Sequence, residues 1–237
     1  MFIYEKKKSL VNKYMVKGNG KKSVVALAVV PKKKRNTRKK PYYPMYPIET
    51  QYCTLKYAHQ SNYTVTAAIP SVGRTWRLNS LIDPDTDVGV VLQPQYRDQL
   101  FAMFDKARVI SATVILKCMT NTDTPVEILA GPQMNSALMA NVQEFRMQKA
   151  TKTKFTSAGK PAYLKFDISI AKLLGQTKGH VLDDDTQEQT IGAGPAISAD
   201  FQVTFNNPYG VASLITLMEI VIFYHVKFTD PKLVPTS

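Results

Sequence analysis

Cysteine, tryptophan and histidine are scarce in this chain: two Cys, one Trp and three His among 237 residues. Cys53 and Cys118 lie far apart and form no Cys-x-x-Cys pair, so they read as two reduced, buried thiols rather than a disulfide framework. His59, His180 and His225 are isolated from one another and from the cysteines, which excludes a zinc pattern. Long apolar runs are also missing. Residues 24–30 (VVALAVV) make a run of seven, well short of the roughly twenty that cross a bilayer, so no membrane insertion is expected. A basic stretch precedes this run, as in a signal peptide, but Pro31 and a second basic block follow it without a small-residue cleavage site. The expected compartment is the cytosol or nucleus.

Catalytic motifs are absent as well. The chain holds no Gly-x-Ser-x-Gly and no His-Glu-x-x-His. The stretch Gly18-Asn19-Gly20-Lys21-Lys22 departs from a phosphate loop, with Met15 where the first Gly belongs and Lys22 in place of Ser or Thr. The sequence predicts no enzyme, no cofactor and no metal. Asp183, Asp184, Asp185 and Glu188 offer the carboxylates a calcium ion takes, but without the spacing of an EF-hand loop. The favoured reading there is a solvated loop or a charge partner for a neighbouring subunit. Asp83-Pro84-Asp85 reads as a turn, and Asn62-Tyr63-Thr64 as an idle glycosylation sequon.

Acid is missing most sharply from the first forty positions. Glu5 stands there alone against fourteen of the chain's thirty-one Lys and Arg, which accounts for the whole formal charge of +13. From Pro41 onward the two signs balance, seventeen against seventeen. The charge is therefore an arm on a neutral body, suited to a polyanion such as nucleic acid. Lys6, Lys7, Lys8, Lys13, Lys17, Lys21, Lys22, Lys32, Lys33, Lys34, Arg35, Arg38, Lys39 and Lys40 are the candidate phosphate-neutralising cations. Within them, Pro31 followed by Lys32, Lys33, Lys34 and Arg35 has the form of a nuclear-localisation signal, which a nuclear import receptor would read. The expected division is a disordered arm over 1–45 and a folded domain over 46–237. Tyr42, Tyr43, Tyr46, Tyr52 and Tyr57 could stack on unpaired bases, but the preferred reading packs them at the arm's exit and in a first strand.

The body reads as β-structure. Strands are predicted over 52–57, 63–69, 108–118, 126–130, 152–157, 163–170, 201–205 and 214–228, from β-branched and aromatic enrichment and period-two alternation. Helical pattern is confined to 96–106 and one turn at 170–174, and long connections are expected over 70–94 and 175–199. Eight strands with long loops fit an all-β, eight-stranded antiparallel jelly roll of two packed sheets.

Two segments carry a family likeness. Residues 76–85 (WRLNSLIDPD) and 93–100 (QPQYRDQL), leading into the strand that begins at Arg108, resemble the capsid proteins of circular, replication-initiator-encoding single-stranded DNA viruses of the circovirus-like kind. A long C-terminal strand ending in Asp230-Pro231 is similar too. The likeness is sharpest over 76–118. One departure is that such arms are usually Arg-rich, whereas only Arg35 and Arg38 are arginines here. Lysine meets phosphate as a point charge without the bidentate fork.

The resemblance implies a coat protein whose copies, sixty in the simplest shell, close into an icosahedron with arms inward. Sixty arms of net +13 would bring roughly 780 positive charges to a packaged single-stranded DNA genome. It also implies a virion protein that passes through the host nucleus and meets a host surface receptor. Two alternatives stand beside it: a coat protein of a small RNA or satellite virus, and a cellular β-barrel nucleic-acid-binding protein. The second would need basic and aromatic residues on an exposed strand face, and the neutral body argues against it. Residues 23–30 fit a strand or helix on the shell's inner wall, or a translation start at Met15.

Overall fold

The computed structural model describes residues 49–86, 92–134 and 138–232, all within the unit Pro44–Ser237. Eight strands run through it: β1 (Thr50–Thr66), β2 (Ser71–Arg77), β3 (Phe104–Thr120), β4 (Val126–Met134), β5 (Lys152–Thr156), β6 (Ala162–Ser169), β7 (Ala199–Asn206) and β8 (Ser213–Pro231). Short helices α1 (Arg97–Met103), α2 (Val142–Met147), α3 (Ile170–Leu173) and α4 (Lys178–Asp183) sit in the connections.

Two four-stranded antiparallel sheets form, in the orders β1-β8-β3-β6 and β2-β7-β4-β5. Each strand of the first half pairs with its mirror in the second: β1 with β8, β2 with β7, β3 with β6, β4 with β5. A chain folded back at its middle and then rolled gives this nesting, which is the jelly roll. The predicted fold class holds.

The strand inventory differs in two places. The two strands expected over 52–57 and 63–69 are one, β1, paired without a break from Thr50↔Thr229 to Thr66↔Ser213. Its middle hid the continuity because His59 and Ser61, on the inward phase, are polar. Conversely, Ser71–Arg77 lies inside an expected connection yet forms β2, held in register by β7 and anchored by fully buried Trp76. α4 and a 3-10 turn at Asp185–Gln187 also lie inside the connection expected over 175–199, and α2 falls where no element is predicted.

The core lies between the sheets. Leu55, Tyr57 and Val65 of β1, Val114 and Leu116 of β3, and Ile220, Ile222, Tyr224 and Phe228 of β8 face Trp76, Ile128, Phe201, Val203 and Phe205 across the gap. β3 carries a bulge between Val109 and Ser111. Ala107 and Val109 are buried on the odd phase, Ala112, Val114, Leu116 and Cys118 on the even one. An extra residue in one strand shifts its alternation by one, which is why both faces of this segment look apolar in sequence.

Outside the second sheet, the β4–β5 connection lies flat on the strands. Met139 exchanges backbone bonds with the Gln202 amide, at 2.9 Å and 3.0 Å. Gly131 permits the approach, since a Cβ there would stand 2.9 Å from Thr151 Oγ1 and 3.0 Å from Thr151 Cα.

The connections sort to two ends. The short ones, after β1, β3, β5 and β7, meet at one end, where Asn207 N donates to Pro70 O and Ala158 N to Thr122 O. The long ones, after β2, β4 and β6, occupy the other, where Leu78 N donates to Ala199 O and Ala107 pairs with Gln189.

Candidate nucleic-acid and assembly surfaces

The fourteen predicted nucleic-acid-binding cations, Lys6 to Lys40, and the nuclear-signal residues Lys32 to Arg35 lie outside the described residues. So does the expected boundary at 45/46.

Within the folded domain, many of the cations are drawn into ion pairs. Arg74 holds Asp85, Arg146 holds Glu127, Arg108 holds Asp185 and Glu188, and Lys106 reaches Glu188 and Asp230. Lys117 meets Glu219 and Lys165 meets Asp167. This pairing is the structural form of the charge balance seen after residue 41.

The acidic stretch belongs to this network. Arg108 Nη2 donates to Asp185 Oδ1 at 3.1 Å and to Glu188 Oε2 at 2.8 Å, and Arg108 Nη1 to the carbonyl of Leu182. Asp184 instead caps the 3-10 turn through Thr186 N at 2.9 Å, and the bonds from Thr186 hold its carboxyl below the usual carboxylate range. Among the described residues, no group of three or more His, Cys, Asp or Glu is placed to hold a metal.

The histidines remain apart. His59 Nδ1 stands 3.3 Å from Asp85, His180 4.0 Å from Asp184, and His225 3.0 Å from Thr54 Oγ1. Burial pushes His59 toward its neutral form, with Asp85 opposing. Both cysteines are free. Burial pushes the Cys118 thiol up to about 12 and raises Cys53 less.

The two family-like segments turn out to clasp the long-loop end. Asn79 Nδ2 donates to Gln187 Oε1 (2.9 Å) and Ile197 O (2.7 Å), and its Oδ1 accepts from Ala199 N (2.9 Å). Gln189 bridges Asn79 O (2.6 Å) and Leu81 N (2.8 Å). Arg97, 2% exposed, ties Gln93, Asp98 and the Ile191 carbonyl together with its guanidinium 4.9 Å from the Phe101 ring centre. These residues position loops rather than meet a ligand.

Sequence reading missed the Arg74–Asp85 pair, because the Asp83-Pro84-Asp85 turn explained itself without it. It also missed two lysines on the edge of the sandwich. Lys152 Nζ donates to Lys165 O at 2.5 Å and Lys154 Nζ to Tyr163 O at 3.1 Å, so β5 caps the outer edge of β6. Of the tyrosines weighed for base stacking, Tyr57 is buried in the core and Tyr52 is exposed on β1; Tyr42, Tyr43 and Tyr46 lie outside the described residues.

No family model and no curated protein matches the chain. Solved structures of similar fold include a chain of Desmodium yellow mottle tymovirus, 9% identical at a TM-score of 0.37, covering 84% of this chain and 99% of that one. A semi-empty virus-like particle of Macrobrachium rosenbergii nodavirus is 10% identical at 0.42, covering 79% and 97%. Sacbrood virus of honeybee is 11% identical at 0.36, covering 98% and 97%. At these identities and TM-scores the matches carry no argument about this chain, whose topology is read from its own strand order.

Proposed function

We propose that the chain is the coat protein of a small virus: a jelly-roll shell domain that self-assembles and packages nucleic acid through its N-terminal cations. The observation that carries this reading is the separation of labour in the charge. The jelly-roll domain carries equal numbers of acids and cations, while all of the surplus +13 falls in the first forty residues. A domain that neutralises itself is suited to touching copies of itself, and a polycation joined to it is suited to phosphate. Large apolar side chains left exposed on the connections, such as Ile69 (59%) and Tyr209 (63%) at one end and Met147 (82%) in the segment that lies on the second sheet, supply contact material.

The finer reading is single-stranded DNA, with nuclear import through Lys32, Lys33, Lys34 and Arg35, and it rests on the resemblance over 76–118 together with the form of that signal. An RNA genome is the second reading, because a lysine-rich arm answers to phosphate and not to the sugar. The test is electron microscopy of the full chain expressed alone, with absorbance at 260 and 280 nm on the same fraction, repeated for a chain beginning at Tyr42. Closed shells carrying nucleic acid that the truncated form lacks are the expected result. The packaged strand's sensitivity to deoxyribonuclease or ribonuclease, after the shell is opened, separates DNA from RNA. Monomers in both forms would end the coat-protein reading.

A further inference from the structure

The first sheet has two edges, and they are finished differently. At the β6 edge, Lys152 and Lys154 occupy the carbonyls of Lys165 and Tyr163. At the β1 edge, Lys56 O accepts from Gln95 N at 2.9 Å, and Thr66 N donates to Ile69 O at 3.0 Å. In an antiparallel strand the backbone groups of successive residues point to opposite sides. Lys56 and Thr66 therefore set the phase: even-numbered residues of β1 aim N–H and C=O away from β8, and the unbroken register carries this through the strand. Between those two blocked points, Ala58, Gln60, Asn62 and Thr64 present backbone groups that no hydrogen bond of the described residues satisfies. All four residues are exposed.

This stretch carries no charge and no proline, the usual devices that keep an edge from pairing. We propose that the β1 edge over residues 58–64 pairs antiparallel with the same edge of a second copy about a two-fold axis, joining two sheets into one across the contact. The occupant follows from self-complementarity. With Ser61 on the axis, Ala58 stands opposite the second copy's Thr64 and Gln60 opposite its Asn62. All four edge-facing residues then fall at hydrogen-bonded positions. A small side chain meets a small one, an amide meets an amide, and no like charges meet. The capped β6 edge leaves β1 as the side of this sheet open to such a contact.

This inference deepens the self-assembly reading and rests on it. The test is hydrogen exchange of the full chain, assembled and dissociated, read at the amides of Ala58, Gln60, Asn62 and Thr64. They should exchange at least tenfold more slowly in the assembled state. The double variant Gln60→Lys/Asn62→Lys, which sets added ammonium groups against those of the second copy, should lose that protection and weaken association at least tenfold. Its thermal midpoint as a monomer should be unchanged, since both side chains lie on the exposed face. Shells whose 58–64 amides exchange as fast as in separated chains would overturn the inference and leave the coat reading standing. Protection that survives the double variant would mean another segment covers the edge, and would overturn it too. A chain that never self-associates would remove both.

Discussion

Arg74 grips Asp85 with two hydrogen bonds, Nε to Oδ1 at 2.9 Å and Nη2 to Oδ2 at 2.5 Å. The pair ties β2 to the residues that follow it, Tyr63 OH lies 3.3 Å from Arg74 Nη1, and the Asp85 side chain is 2% exposed. Removing one member takes two charge-assisted hydrogen bonds from the other at a largely buried position. Asp85→Ala should therefore cost about 3–5 kcal/mol in chemical denaturation, and Arg74→Ala a similar amount. Replacing the pair together with apolar residues should cost much less than the sum, which a double-mutant cycle would read directly.

Asn79 offers a second test, because it satisfies three groups from one side chain. Asn79→Ala leaves Ala199 N–H, Ile197 O and Gln187 Oε1 without that partner at the long-loop end. A loss of about 2–3 kcal/mol is expected. Limited proteolysis should show new cleavage between residues 184 and 198, while the core strands stay protected. If cleavage appears first in the short connections instead, the clasp is misplaced.

The legibility of this fold follows what each residue's partner is. β8 was readable because its inward phase is almost wholly apolar, from Leu214 through Ile220 and Ile222 to Phe228. β2 was not, because Gly73, Arg74 and Thr75 carry no alternation of their own and are held by β7 from far along the chain. The amides of Asn79, Gln187 and Gln189 read as loop residues for the same reason: each is buried where partners from far along the chain meet it. Charge told more about the surfaces. The balance after residue 41 foretold a self-paired domain, but not which cation meets which acid. The β1 edge left no sequence signal, since polar residues on a strand read equally as an exposed face.

Asp200 makes a pH-dependent prediction. It is fully buried on β7, its Oδ2 accepts from Ser198 Oγ at 3.1 Å, and no hydrogen-bond donor among the described residues reaches Oδ1. Burial raises its carboxyl above the ordinary 3.8, with Ser198 and the Arg77 charge opposing. A folded-state pKa above the unfolded one means that folding favours the protonated form. The contribution to stability is full in acid below the unfolded value and is lost as pH rises through the folded value. Asp200→Asn removes that loss. The variant should melt above the parent at pH 7, with the difference shrinking toward pH 3. A constant difference across this range would place the effect in packing rather than ionisation.

Thiol reactivity reads the burial of β1 and β3 separately. The Cys118 thiol, pushed up to about 12 and 2% exposed, should resist alkylation at pH 8 until the domain unfolds. Cys53 sits partly exposed on β1, and its smaller rise should leave it slow but reactive in the folded state. Mass spectrometry after timed alkylation should find Cys53 modified alone. Equal labelling of both would contradict the burial of the β3 face.

The lysines on β5 test whether edge capping matters for solubility. The Lys152 ammonium also lies 4.3 Å over the Phe166 ring, so it meets a π face as well as a carbonyl. Lys152→Met/Lys154→Met keeps the stems and removes both donors. Water can reach these carbonyls, so the change in unfolding free energy should stay near about 1 kcal/mol or less. Aggregation should respond more, because two edge carbonyls and their charge protection are lost together. Light scattering on warming should rise at a lower temperature than for the parent, well before the loss of circular-dichroism signal. Coincident scattering and unfolding in both proteins would show that the lysines tie β5 to β6 without guarding the β6 edge.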